Sequence, residues 1–172
     1  MFSLENEILQ QENLNSYKRC IMIVTKRSIK AWFLSFFREV FVHHNSSLEF
    51  RAKLLAAMIG TNLEMDKCEL EILDTIAKEI YPNDEARVDV LTRTTQEYVK
   101  KIIENNGLEL NELIKSIDRE LKIEERFFEK INIEQLSRFL GCSLEDEETQ
   151  LTQTRILEYL QSEITTYKAK KV

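Results

Sequence analysis

Three glycines and one proline in a chain of 172 residues are too few turn-formers for a sheet protein, whose many reversals need them. The scarcity predicts long helices joined by short connections. Abundant Leu, Glu and Lys agree, since these side chains lose little freedom on a helix, while Ile and Val serve as buried core. Histidine is nearly missing too, with only His43 and His44, adjacent and about 100° apart on a helix, so poor joint ligands. The cysteines are Cys20, Cys68 and Cys142, odd in number, widely separated and without a CxxC pair. That pattern argues against a zinc ribbon or a disulfide framework. Free thiols suit a reducing compartment, so the expected location is the cytoplasm. No Ser/His/Asp arrangement, glycine-rich phosphate loop or HExxH occurs, and nothing in the sequence places a basic partner beside Cys68 or Cys142. The chain reads as a binding domain and not as an enzyme. The start, MFSLENEILQQEN, lacks the basic and apolar regions of a signal peptide, and no apolar run approaches the roughly 20 residues that span a bilayer, so a soluble protein is expected.

What is present is apolar content of 43%, enough for a substantial core, and a net charge of −6 that is unevenly spread. Lys18 to Lys53 holds eight basic residues against Glu39 and Glu49, a balance of +6, which leaves −12 for the rest. Such a run is most simply a solvated face of basic helices.

The expected fold class is all-α, a compact bundle of about seven helices. A first helix covers roughly Leu4 to Val24. A second, about Ser28 to His44, sets Ile29, Trp32, Phe33, Phe36, Phe37 and Val40 on one face. Together they make an N-terminal helical hairpin over 1–45. Ser46 and Glu49 have capping-box spacing and open a helix to Ile59, which Gly60 ends in the left-handed conformation suited to glycine. Asp66 and Glu69 repeat the spacing before the stripe Leu70, Leu73, Ile76, Ala77 and Ile80. Pro82-Asn83-Asp84 stops and restarts the chain. The next helix reaches about Glu104 with Val88, Leu91, Tyr98, Val99 and Ile102 inward, and Asn105-Asn106-Gly107 closes it. Leu110 to Leu121 marks another helix, and Ile123 to Ile131 a short one. Asn132 with Gln135 opens a helix to Leu140, Gly141 stops it, and a last helix runs from about Glu145 towards Tyr167. Residues 168–172 read as a frayed basic tail.

Comparing the chain with itself at an offset of 81 places Leu55 on Leu136, Met58 on Phe139, Gly60 on Gly141, Leu63 on Leu144, Glu64 on Glu145 and Asp66 on Glu147. This reads as two helix–acidic loop–helix segments produced by internal duplication. Chance alignment of two helical pairs is the competing reading. The acids Glu64, Asp66, Glu69, Glu145 and Glu147 are hard oxygen ligands fitted to Ca2+, Mg2+ or Mn2+. The same acids in a first turn cap a helix and complement its dipole. An EF-hand is excluded, because a loop beginning at Asn62 puts Lys67 where glycine is needed and Leu73 where the bidentate glutamate belongs.

The stretch LLAAMIGTNLEMDKCELEIL resembles the tellurite-resistance TerB-like domain, whose mark is an apolar helix, a loop of the form Asp-Gly-acid-apolar-Asp-x-x-Glu, and an amphipathic helix. Glu64, Met65, Asp66 and Glu69 match the latter part. Asn62 and Leu63 stand in place of Asp-Gly, and Gln150 replaces the closing glutamate of the second loop. The resemblance covers about Phe50 to Tyr167 and implies a helical core over 46–167 that is internally duplicated. It also implies a divalent cation held by the loop acids, and a place in stress-response assemblies, some of them near the membrane. A protein partner is therefore expected. Besides serving as core, the aromatic helix offers an alternative: Trp32 and Phe36, with Lys26, Arg27 and Lys30, would dock a partner or lie on an anionic membrane surface. The acidic remainder disfavours nucleic acid. Oligomeric state is left open.

Overall fold

The computed structural model describes residues 46–62, 65–104, 107–144 and 146–171. The expected hairpin over 1–45, with Lys26, Arg27, Lys30, Trp32 and Phe36, lies outside the described residues, as do Glu64 and Glu145. Residues Ser46–Val172 form one compact unit. Its elements are α1 (Ser46–Ile59), α2 (Lys67–Ile80), α3 (Glu85–Ile103), α4 (Leu110–Ile123), a 3-10 helix η1 (Glu125–Lys130), α5 (Ile133–Ser137), a 3-10 helix η2 (Arg138–Gly141) and α6 (Glu147–Lys170). There is no strand among the described residues, and the all-α bundle is as the glycine and proline scarcity requires.

Helix α1 is apolar nearly all round, and such a helix must be enclosed. Leu48, Phe50, Ala52, Leu54, Leu55, Ala56, Ala57, Met58 and Ile59 are all buried. Helices α3 and α4, with η1, α5 and α6, pack around it. Burial of its six large apolar side chains stabilises the fold by on the order of 10 kcal/mol. The exposed (i,i+4) pairs Asp74–Lys78 and Asp89–Arg93 contribute only about 0.3–0.5 kcal/mol each. The core dominates. Phe50 stacks on Phe127 of η1, with ring centroids 4.4 Å apart and planes within 9°.

The basic residues that α1 carries are not a free face. Lys53, its side chain 11% exposed, pairs with Glu49 and Glu120, and Tyr98 of α3 donates to Glu49 at 2.9 Å. Within the expected basic stretch, this end is drawn into the protein.

Several helix ends fall where the sequence sets them. Asp84 caps α3 by accepting from the Arg87 amide at 3.0 Å, after Asn83 takes a left-handed φ of 65°, which asparagine tolerates. Asn132 caps α5 from the Gln135 amide at 3.1 Å, but the Gln135 side chain reaches Glu79 of α2 and does not complete a box. Other expectations are corrected. The inward face of α3 uses Val90, Thr94 and Thr95 with Leu91 and Val99, while Val88 is only half-buried. Leu70 is 36% exposed, so it does not belong to the core stripe, and Leu151 at the offset of 81 is 52% exposed. The terminal lysines are helical as far as Lys170, because Tyr167 stacks on Phe128 at 4.2 Å and accepts from Lys171 at 2.9 Å, anchoring the last turn.

Gly60 also has a different reason. Its φ is not left-handed; among the described residues that conformation is taken by Gly107, at 82°, and by Asn83. A Cβ at Gly60 would instead meet the Ala56 carbonyl oxygen and Ile102 Cδ1 of α3, both at 2.9 Å. At Gly141, its echo, nothing lies within 4 Å. Gly60→Ala should therefore lower stability by about 1–3 kcal/mol through overpacking. Gly141→Ala should change it by no more than about 1 kcal/mol in either direction. Chemical denaturation of the two variants checks this, and equal losses would contradict it.

Candidate functional site

The two loops of the echo meet. The first leaves α1 through Gly60 and enters α2, and the second leaves η2 through Gly141 and enters α6. Cys68, in the first turn of α2, is joined by a disulfide to Cys142, with Cα atoms 5.8 Å apart. Across the same junction Thr149 Oγ1 approaches the Thr61 carbonyl oxygen at 3.4 Å. At the offset of 81, Cys68 corresponds to Thr149 and Cys142 to Thr61. One contact is thus the echo of the other, the reciprocity a two-fold axis produces. The expectation of free thiols is corrected for this pair. Odd number and wide spacing hid it, because 74 residues separate the partners and only the fold brings them together. Cys20 lies outside the described residues.

A second link is buried and polar. Gln153 of α6, with no exposed surface, donates from Nε2 to the Met58 carbonyl at 3.0 Å and accepts from Ser143 Oγ at 3.0 Å. Thr61 Oγ1 also donates to the Met58 carbonyl, at 2.8 Å. Carbonyls in the last turn of a helix have no partner within it, and these side chains supply one. Sequence reasoning missed Gln153 and Ser143. The available signal was Gln153 itself, polar on the stripe that continues through Ile156, Leu157 and Leu160.

The acids divide by role. Asp66 and Glu69 form a complete capping box: Asp66 Oδ1 accepts from the Glu69 amide at 2.7 Å, and Glu69 Oε2 accepts from the Asp66 amide at 3.1 Å. At α6 the cap is Asp146, one residue earlier than the echo of Asp66 suggests. Its Oδ1 accepts from the Glu148 and Thr149 amides, each at 3.1 Å, and its Oδ2 from Thr149 Oγ1 at 2.7 Å. Those bonds, the Thr149 hydroxyl first, hold the Asp146 carboxyl below its ordinary range. Thr149 therefore takes the place of Glu69, and the helix begins at Glu147 and not at Glu145. Glu147 is an exposed first-turn residue. Among the described residues, Asp66, Glu69 and Glu147 do not gather into one three-carboxylate cluster. The group that does gather is Asp66, Cys68 and Cys142, with a carboxylate oxygen and both sulfurs within 4.8 Å of one another. Cys68 also lines a cleft of about 220 Å³ with Glu71, Ile72, Thr75 and Arg138.

Glu69 has no exposed surface, and its Oε1 has no hydrogen-bond partner among the described residues. Burial pushes its carboxyl up to about 7, against the lowering bond from the Asp66 amide and with a further push from the Asp66 charge. A buried carboxyl with one bare oxygen is costly when ionised and much less so when protonated.

Comparison with family models, with curated proteins and with solved structures found no match.

Two predictions follow from this junction. Because the Glu69 carboxyl is raised, its contribution is full at acid pH and is lost as pH rises through about 7. The wild-type melting temperature should fall from about pH 5 to 8 relative to that of Glu69→Gln, in which the slope disappears. A difference that stays constant across the window would reject this. Separately, opening the disulfide with a reductant should cost about 2–4 kcal/mol, given the long segment it closes. Denaturant midpoints that coincide with and without reductant would show that the bond does not constrain the unfolded chain.

Proposed function

We propose that this chain is a non-catalytic, TerB-like helical module that takes a divalent cation where its two acidic loops meet, and that it works through a protein partner in a cytoplasmic stress-response assembly. The observation that carries the reading is the convergence of the loops, seen in the paired contacts Cys68–Cys142 and Thr61–Thr149. Convergence brings Asp66 at the start of α2 and Asp146, Glu147 and Glu148 at the start of α6, acids of two segments distant in sequence, to one end of the bundle. Carboxylates so concentrated suit Ca2+, Mg2+ or Mn2+. No helix among the described residues is long and apolar enough to cross a membrane, which is compatible with a cytoplasmic module.

The engagement of Asp66 and Glu69 in a capping box favours a second reading, an adaptor whose acids only finish helices. One titration separates the two. Calorimetry with Ca2+ and with Mn2+ on the full chain should give saturable heat, and the melting temperature should rise at millimolar ion. At a hundredfold excess over the dissociation constant the stabilisation is about 2.7 kcal/mol. Asp66→Asn keeps the cap, since asparagine caps as well as aspartate, and should weaken the ion. Absence of both heat and stabilisation at millimolar ion rejects the cation reading in favour of the adaptor.

A further inference from the structure

Disulfide and metal site are alternative uses of the same sulfur electrons. We propose that Asp66, Cys68 and Cys142 form a redox-gated site for a thiophilic divalent cation of the zinc class, closed by the disulfide and opened by its reduction. The inference goes beyond the carboxylate reading above and shares only Asp66 with it.

Ligand chemistry comes first. Thiolates select zinc-class ions over Ca2+ or Mg2+, and two thiolates with one carboxylate are a donor set that zinc accepts. Geometry agrees. The carboxylate oxygen and the two sulfurs already lie within 4.8 Å of one another. Two thiolates on one tetrahedral zinc stand about 3.8 Å apart, given Zn–S bonds of about 2.3 Å. Once the S–S bond is broken, rotation about the two Cα–Cβ bonds covers that separation, and Cα atoms 5.8 Å apart need no rearrangement of the chain. Asp66 caps α2 with Oδ1, and its other oxygen makes no hydrogen bond among the described residues. The N-terminus of α2, the positive end of its dipole, faces this anionic set. None of Asp66, Cys68 and Cys142 is enclosed, and Cys68 borders the cleft of about 220 Å³ beside Arg138.

The chemistry balances with a dithiol reductant. A thiolate of the reductant attacks one sulfur, the Cys68–Cys142 bond breaks, and the second reductant thiol resolves the mixed disulfide. The protein gains two electrons and two protons, and the reductant leaves as its own disulfide. Zinc then displaces the two thiol protons to solvent and forms two Zn–S bonds, and Asp66 supplies the third ligand. Three protein ligands leave the fourth position to water. In the cytoplasm, where thiols are held reduced, the open state would prevail; hydrogen peroxide, taking two electrons and two protons to become two waters, would close the bond and release the metal.

Cobalt is the probe, because thiolate ligation gives Co2+ a near-ultraviolet charge-transfer absorption that carboxylates do not. The full chain, with Cys20→Ser as background, is titrated with Co2+ after reduction by a phosphine and again in the oxidised form. The reduced protein should show a saturating band at one equivalent, displaced by Zn2+, and the oxidised protein should show none. Cys68→Ser with Cys142→Ser should abolish the band. Asp66→Asn should keep it but weaken Co2+ by roughly tenfold or more, and circular dichroism confirms that each variant remains helical. No band in helical, reduced wild-type protein overturns the proposal. So does a band that survives loss of both cysteines. Calcium or manganese heat in the oxidised form tests the carboxylate reading alone, so either can fail without the other.

Discussion

Everything in this bundle is arranged around one helix that cannot face water. Helix α1 buries leucines, alanines, a phenylalanine, a methionine and an isoleucine around most of its circumference. A helix of that composition leaves its surroundings little freedom: other elements must close over it. Where they approach most tightly, small residues permit it, and Gly60 admits Ile102 within van der Waals reach of the backbone. The end of α1 is where the constraint acquires chemistry. The Met58 carbonyl in its last turn sits inside the protein and takes donors from Thr61 and Gln153. The junction of the loops is built on that requirement.

Among the described residues, helix existence and approximate limits were legible because they rest on local physics. The Asp66–Glu69 box and the Asp84 and Asn132 caps are short-range arrangements that spacing alone reveals. The register of the second loop was not legible to the residue. Alignment to Glu147 matches acid to acid, but the chain caps with Asp146, since the second loop is one residue shorter between its glycine and its cap. Leu70 misled the apolar pattern, since it stands on the surface, as does Leu151 at the echoed position.

The site was legible only in part, for a different reason. Carboxylates at a helix start announce themselves in a sequence, but their role depends on which N–H groups lie near, and that is settled by folding. Asp66 and Glu69 are turned towards one another's amides, whereas Glu147 points to solvent. The cysteines carried no local signal at all. Their pairing is a consequence of how α2 and η2 meet, not of any spacing between them. Gln153 is intermediate: its polarity on an apolar stripe is visible, but its partner on α1 is not.

The paired contacts across the junction have a consequence for how such a chain can change. A symmetric association between two separate copies obliges both to keep the same surface, since every alteration appears twice. Joining the two segments through α3 and α4 makes their encounter intramolecular and raises their effective concentration to a level free copies rarely reach. Each segment is then released from matching the other. One side has a glutamate in its box, buried and hard to ionise, and the other has a threonine that satisfies the same cap without a charge. Asymmetry between the halves is thus the expected product of covalent linkage, and it concentrates at the one end where the halves touch.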